Sequence, residues 1–199
     1  MKKLGLVAMI EASFFAAFAL ILDLLPSIKL GPWISISFAM VPIFILAFRW
    51  GFKVSFLAGF IWGLLQVAVG DIYFLTPIQF LIEYFIAFAF IGFAGILFKK
   101  IQSHFHNGNK KSALQWVVVA IFVGSIARYF WHFVAGVIFW GEYAPEGMSP
   151  VVYSLVVNGG TMLGAAVLCS VVVVALLASA PRLIQRNRIS IEPAKKNVS

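Results

Sequence analysis

The chain has 199 residues, of which 62% are hydrophobic and 11% charged, with 21 Phe, 6 Trp and 5 Tyr. Soluble domains run near 45–50% apolar and about 25% charged, so a water-soluble sphere of this length could not hide so much apolar surface. The formal net charge of +8 is no nucleic-acid signature, because Lys and Arg sit in short clusters between apolar runs. A lone cysteine, Cys169, excludes an intrachain disulfide and a cysteine-based metal site.

Six apolar segments follow one another at about 4–25, 34–50, 54–70, 77–98, 113–140 and 150–180. About 20 apolar residues cross the hydrocarbon, and these runs lack the alternation of barrel strands, so each is read as a helix. The expected fold is an all-α integral membrane protein with six transmembrane helices. Lys2 and Lys3 precede the first run, but no small-residue cleavage site follows, so the run is read as a retained span. The second and third segments are short, and Pro42 lies inside the second. Thr76–Pro77 and Ser149–Pro150 are N-cap and first-turn pairs that start the fourth and sixth helices.

With the N-terminus inside, the inner regions hold Lys2, Lys3, Arg49, Lys53, Lys99, Lys100, Lys110, Lys111, Arg182, Arg186, Arg188, Lys195 and Lys196, which is 13 of the 15 basic residues. Lys29 is outside and Arg128 lies within the fifth segment. The positive-inside rule therefore gives an N-in, C-in topology. Residues 1–181 are taken as one transmembrane domain and 182–199 as a polar, mobile cytoplasmic tail. No internal repeat of the kind that marks many carriers is visible.

Ionisable groups within spans cost roughly 2.5–3.5 kcal/mol each on insertion scales and are functional candidates. They are Glu11, Asp23, Glu83, Arg128 and His132. Glu11 and Asp23 lie near the ends of the first segment, where snorkelling or local capping is the plainer reading. At 1.5 Å per residue, Glu83 lies about 9 Å below the outer boundary, Asn158 about 12 Å and Tyr153 about 4–5 Å, with Arg128 and His132 in the outer third. Trp33, Tyr73 and Trp140 sit on the same side. Arg128 with His132, and Gln79 with Glu83, are four apart and share helix faces.

One deep carboxylate among aromatic rings suits a flat, partly cationic heterocycle, through charge, cation–π attraction and stacking. Asn158 and tyrosine hydroxyls would read its polar edges. Plainer readings stand beside this one: the Trp and Tyr as interfacial anchors, Glu83 as the structural partner of Arg128, and His132 as a satisfied helix residue. No Gly-x4-Gly-Lys-Ser/Thr, His-Glu-x-x-His, Cys-x-x-Cys or Gly-x-Ser-x-Gly motif occurs. Ser154 and His132 without a motif make a poor hydrolase, and the inner halves of the spans are too apolar for a channel.

Three stretches then carry a resemblance over nearly all of residues 8–180: EASFFAAFALILD (11–23), GFIWGLLQVAVGDIYFLTPIQFLIEYFIAFAFIGFAG (59–95) and RYFWHFVAGVIFWGEYAPEGMSPVVYSLVVNG (128–159). The chain resembles the thiamine-specific S-components of energy-coupling-factor (ECF) vitamin transporters, the ThiT/YuaJ type of Gram-positive bacteria. The resemblance implies a six-helix, non-enzymatic subunit of the bacterial cell membrane that binds thiamine from outside and needs no cofactor. It implies ligand contacts at Trp33, Trp62, Tyr73, Glu83, Tyr84, His132, Trp140, Tyr153 and Asn158, with Trp62 as pocket floor. Gln79 is a further candidate, as is Arg128, which stands where the family carries lysine. The implied partners are a transmembrane coupling subunit and two ATPases, which would hydrolyse the ATP. Small residues of the first helix suit that contact, Ala12 with Ala16 or Ser13 with Ala17, and the resemblance favours the second register. Two rivals remain open at this point: the same architecture for another vitamin or a thiamine precursor, and a stand-alone carrier or structural membrane protein.

Overall fold

The computed structural model describes residues 5–30 and 34–185. Lys2, Lys3, Trp33 and residues 186–199 lie outside the described residues.

Six helices form the bundle: α1 (Leu6–Asp23), α2 (Val41–Trp50), α3 (Phe52–Val69), α4 (Pro77–His106), α5 (Lys110–Phe139) and α6 (Pro150–Ser179). All but α2 are long and apolar enough to cross a membrane. Both expected caps are present: Thr76 Oγ1 accepts from Gln79 N at 3.1 Å and Ser149 Oγ from Val152 N at 3.3 Å.

The second apolar segment is not one helix. Its first part is β2 (Ile34–Ile36), paired antiparallel with β1 (Ile28–Leu30) in the register Ile28↔Ile36 and Leu30↔Ile34. The Ile-Ser-Ile-Ser alternation of residues 34–37 is a strand period. Its isoleucines lie on α6 at Gly160 and Gly164, where an added Cβ would come 2.8 Å from Ile34 Cδ1 and 2.3 Å from Ile36 Cδ1. Those glycines are thus a seat for the hairpin.

The remaining ten residues form α2, about 15 Å long and too short for a hydrocarbon core of about 30 Å. Every residue from Val41 to Phe48 is buried. Pro42 falls in the first turn, where its missing N–H breaks no helical bond. Gly51 turns the chain into α3 at φ +82°, ψ −173°, a conformation only glycine adopts without strain.

α1 packs on α2 and α3 through Ala8, Ala12, Ala16 and Ala19, all buried at helical spacing. Ala12 and Ala16 are therefore interior packing residues, a correction to their expected role in partner contact. Ser13 faces outward, with Ile10, Phe14 and Phe18 beside it, and Ala17 is half-buried. Gly59 and Gly63 of α3 lie directly under the α4 backbone: an added Cβ would sit 2.2 Å from Phe88 O and 1.7 Å from Tyr84 O.

The basic end differs from expectation in three ways. α4 runs through Lys99 and Lys100 to His106, beyond the apolar segment that ends at 98. Glu11 neither snorkels nor caps. Arg49 grips it with two bonds, Nε to Oε2 at 2.6 Å and Nη2 to Oε1 at 2.9 Å, and Trp50 Nε1 adds a third at 2.7 Å. The tail does not come free at Arg182: Arg49 Nη1 donates to the carbonyls of Leu183 and Gln185, Gln102 Nε2 donates to Ile184 O at 2.8 Å, and the Ile184 side chain is fully buried.

Candidate functional site

At the opposite end, the start of α4, the end of α5 and the start of α6 meet. α4 is irregular there, with a π turn over Leu81–Ile86 between α-helical stretches. Such widened turns recur at functional sites because they re-aim side chains. Glu83 and Tyr84 lie within it.

The loop before α4 is pinned by two of its own side chains. Tyr84 Oη accepts from Tyr73 N at 2.7 Å. Gln79 is completely buried; its Oε1 accepts from Leu75 N at 3.1 Å, and its Nε2 donates to Tyr73 O at 3.1 Å and to Glu83 Oε2. Glu83 Oε1 accepts from Trp140 Nε1 of α5 at 2.8 Å. Both of these donors to Glu83 are neutral. Among the described residues Glu83 makes no salt bridge.

On α5, Arg128 does not reach Glu83. Its guanidinium lies 4.3 Å from the Phe88 ring centre and 5.0 Å from that of Trp62, and its Nε donates to His132 Nε2 at 3.5 Å. The reading of Glu83 as the structural partner of Arg128 is thereby corrected. On α6, Asn158 Nδ2 donates to Ser154 Oγ at 3.1 Å, and Ser154 Oγ donates to Phe133 O at 2.8 Å. Gly136 makes this crossing tight: an added Cβ would lie 2.3 Å from Ser154 Oγ and 2.9 Å from Asn158 Nδ2.

These elements enclose a cavity of about 480 Å³ lined by Tyr73, Glu83, His132, Gly136, Trp140, Tyr153, Ser154, Val157 and Asn158. That volume is within the usual range for small-molecule sites. Tyr73 is 73% exposed and meets Trp140 edge to face at 6.0 Å, forming a rim. A second chamber of about 290 Å³ adjoins it, sharing His132 and Asn158 and adding Asp23, Arg128, Thr161 and Ser27, Ser35 and Ser37 of the hairpin region. Asp23 does not cap α1; its carboxylate accepts from Gln66 Nε2 of α3.

Of the expected ligand residues, the main cavity collects Tyr73, Glu83, His132, Trp140, Tyr153 and Asn158. Trp33 lies outside the described residues. Trp62 is not a floor of that cavity: it is fully buried against Phe88 at 4.7 Å and beneath Arg128. Tyr84 and Gln79 line neither chamber, and their polar atoms bond to the loop and to Glu83, while Arg128 lines the second chamber. Sequence reasoning did not single out Gly136 and Val157, and weighed Ser154 only as a nucleophile. The spacing of Ser154 and Asn158, four apart on one helix face, is the signal that would have found the serine.

Residues 9–185 match the family described as thiamine transporter protein (Thia_YuaJ). The chain is 40% identical over 181 residues to the thiamine transporter ThiT of Lacticaseibacillus paracasei, covering 89% of this chain and 90% of that one. It is 35% identical over 185 residues to the ThiT of Bacillus subtilis, covering 92% and 96%. The solved structure of ThiT from Listeria monocytogenes superposes with a TM-score of 0.86 at 39% identity, covering 90% of this chain and 97% of that one. With its helices of membrane-crossing length, the chain is a multi-pass membrane protein that belongs to the thiamine transporter protein (Thia_YuaJ) family.

Proposed function

We propose that this chain is the thiamine-capturing subunit of an ATP-driven vitamin importer in the bacterial cell membrane. The observation that carries the reading is Glu83: a carboxylate held by two neutral donors, without a salt bridge among the described residues, in the wall of an aromatic cavity. A cationic ligand supplies the missing countercharge. Thiamine carries a permanent thiazolium charge and an aminopyrimidine ring; Trp140 and His132 offer flat faces, and Asn158, Tyr153 and Ser154 offer polar contacts. The names of the relatives support the same cargo. A neutral or anionic vitamin would gain little from Glu83.

The cavity opens outward in an N-in, C-in topology, which the clustering of basic residues at the opposite end supports. ATP hydrolysis belongs to partners, a transmembrane coupling subunit and two ATPases, and the outward Ser13/Ala17 face of α1 receives the coupling subunit. The protein binds its cargo with no cofactor of its own.

The test is a titration of the purified protein with thiamine, followed by tryptophan fluorescence and calorimetry, with riboflavin and biotin as controls. Saturable quenching by thiamine alone is expected. Absence of both quench and heat with thiamine removes the reading.

A further inference from the structure

A permanent cation beside a cavity proposed to receive a cation is an electrostatic cost, and Arg128 is that cation. Its guanidinium is held by the Phe88, Trp62 and Tyr129 rings, 4.3, 5.0 and 5.5 Å from their centres. Asp23 is the carboxylate among the residues that line the second chamber with Arg128, itself fixed by Gln66. The one side chain that Arg128 shares with the main cavity is His132, which lines both chambers and receives the Arg128 Nε–H at Nε2.

Arginine has only donors, so a histidine nitrogen that accepts from it carries its lone pair. The ring is then neutral and its proton sits on Nδ1. A neutral imidazole is a flat, chargeless surface for a cationic heterocycle, and its Nδ1–H is a donor for a ring nitrogen or oxygen of the ligand. Asn158, the other residue common to both chambers, has one of its two Nδ2 donors on Ser154, so a donor from His132 adds to the one Asn158 keeps.

We propose that Arg128 is a positioning residue for ligand capture: it acts through His132, locking the imidazole as the Nδ1–H tautomer in the wall between the two chambers. This rests on the reading of the cavity as the thiamine site.

The test combines two measurements on the full chain in nanodiscs. In protein labelled with 15N-histidine, the His132 resonances, assigned by their loss in His132→Gln, report an unprotonated Nε2 and a protonated Nδ1. Arg128→Met mixes in the Nε2–H tautomer and weakens thiamine binding about tenfold or more; Arg128→Lys, which keeps a cationic donor, restores affinity to within about threefold of the parent. A protonated Nε2 in the parent protein overturns the proposal, as does an Arg128→Met protein with the parental tautomer and affinity. If Arg128→Met does not fold, the parent and Arg128→Lys spectra decide by the same criterion. A parent protein with the assigned tautomer but no response to thiamine defeats the functional reading and leaves the Arg128–His132 device standing.

Discussion

Glu83 and Trp140 are joined by a 2.8 Å hydrogen bond from the indole Nε1 to Oε1. This bond ties the π turn of α4 to the residue that caps the C-terminus of α5, and the same indole is a wall of the main cavity. One contact therefore orients a carboxylate and an aromatic face together.

Replacing Glu83 by Gln removes the charge and keeps the shape. Thiamine affinity is expected to fall at least tenfold, about 1.4 kcal/mol, in a fluorescence titration. Unchanged affinity would make the carboxylate a structural group.

Gln79→Leu strips three bonds from the loop that carries Tyr73 and leaves Leu75 N and Tyr73 O without their partner. Both groups sit on exposed loop residues, so each lost bond costs about 0.5–1.5 kcal/mol. Thermal melting in detergent should drop and thiamine affinity with it, although Gln79 lines neither chamber. A variant with lowered stability and full affinity would show that Gln79 supports the fold alone.

Gly136→Ala and Gly159→Ala form a matched pair on facing helices. The first pushes a methyl against Ser154 and Asn158, whereas the second meets only Leu155 Cδ1 at 3.9 Å. Overpacking of about 1–3 kcal/mol is expected for Gly136→Ala, with weakened thiamine binding. Gly159→Ala should be neutral or stabilising by up to about 1 kcal/mol, since alanine is the better helix former. Equal melting temperatures for the two would contradict the tight α5–α6 crossing.

At the basic end, Glu11→Ala leaves Arg49 and Trp50 Nε1 without the acceptor they share. A loss of about 1–3 kcal/mol is expected, and adding Arg49→Met should cost less than the two single losses summed, because the double change strands no charge. Additive losses in a double-mutant cycle would argue against coupling of the two side chains.

Ala17→Trp adds bulk at the half-buried edge of the outward face of α1, away from both chambers. Thiamine binding by the purified protein should persist while ATP-dependent uptake by cells is lost. Loss of both would indicate misfolding.

Much of this molecule was readable from residue order, because lipid enforces simple rules. Long apolar runs and the Thr76–Pro77 and Ser149–Pro150 pairs gave the membrane-length helices and two starts. The depth of Glu83, His132, Tyr153 and Asn158 along their helices already places them near one level, and the cavity collects all four. The hairpin was hidden because Ile34–Ile36 merges into an apolar stretch, and hydropathy outweighed the period-two alternation. The π turn leaves no compositional trace. Gln79 is a candidate through its shared face with Glu83, and Tyr84 through the resemblance, while the loop that claims their polar atoms is a tertiary feature that neither signal reports.

The brevity of α2 divides the protein into a hollow half and a solid half. Away from the chambers, Phe44, Phe48, Ile101, Ile121 and Leu177 are fully buried side chains of the core. For a cargo held at the proposed site, the Tyr73–Trp140 rim is the near exit, and a passage among these side chains would first have to displace their packing.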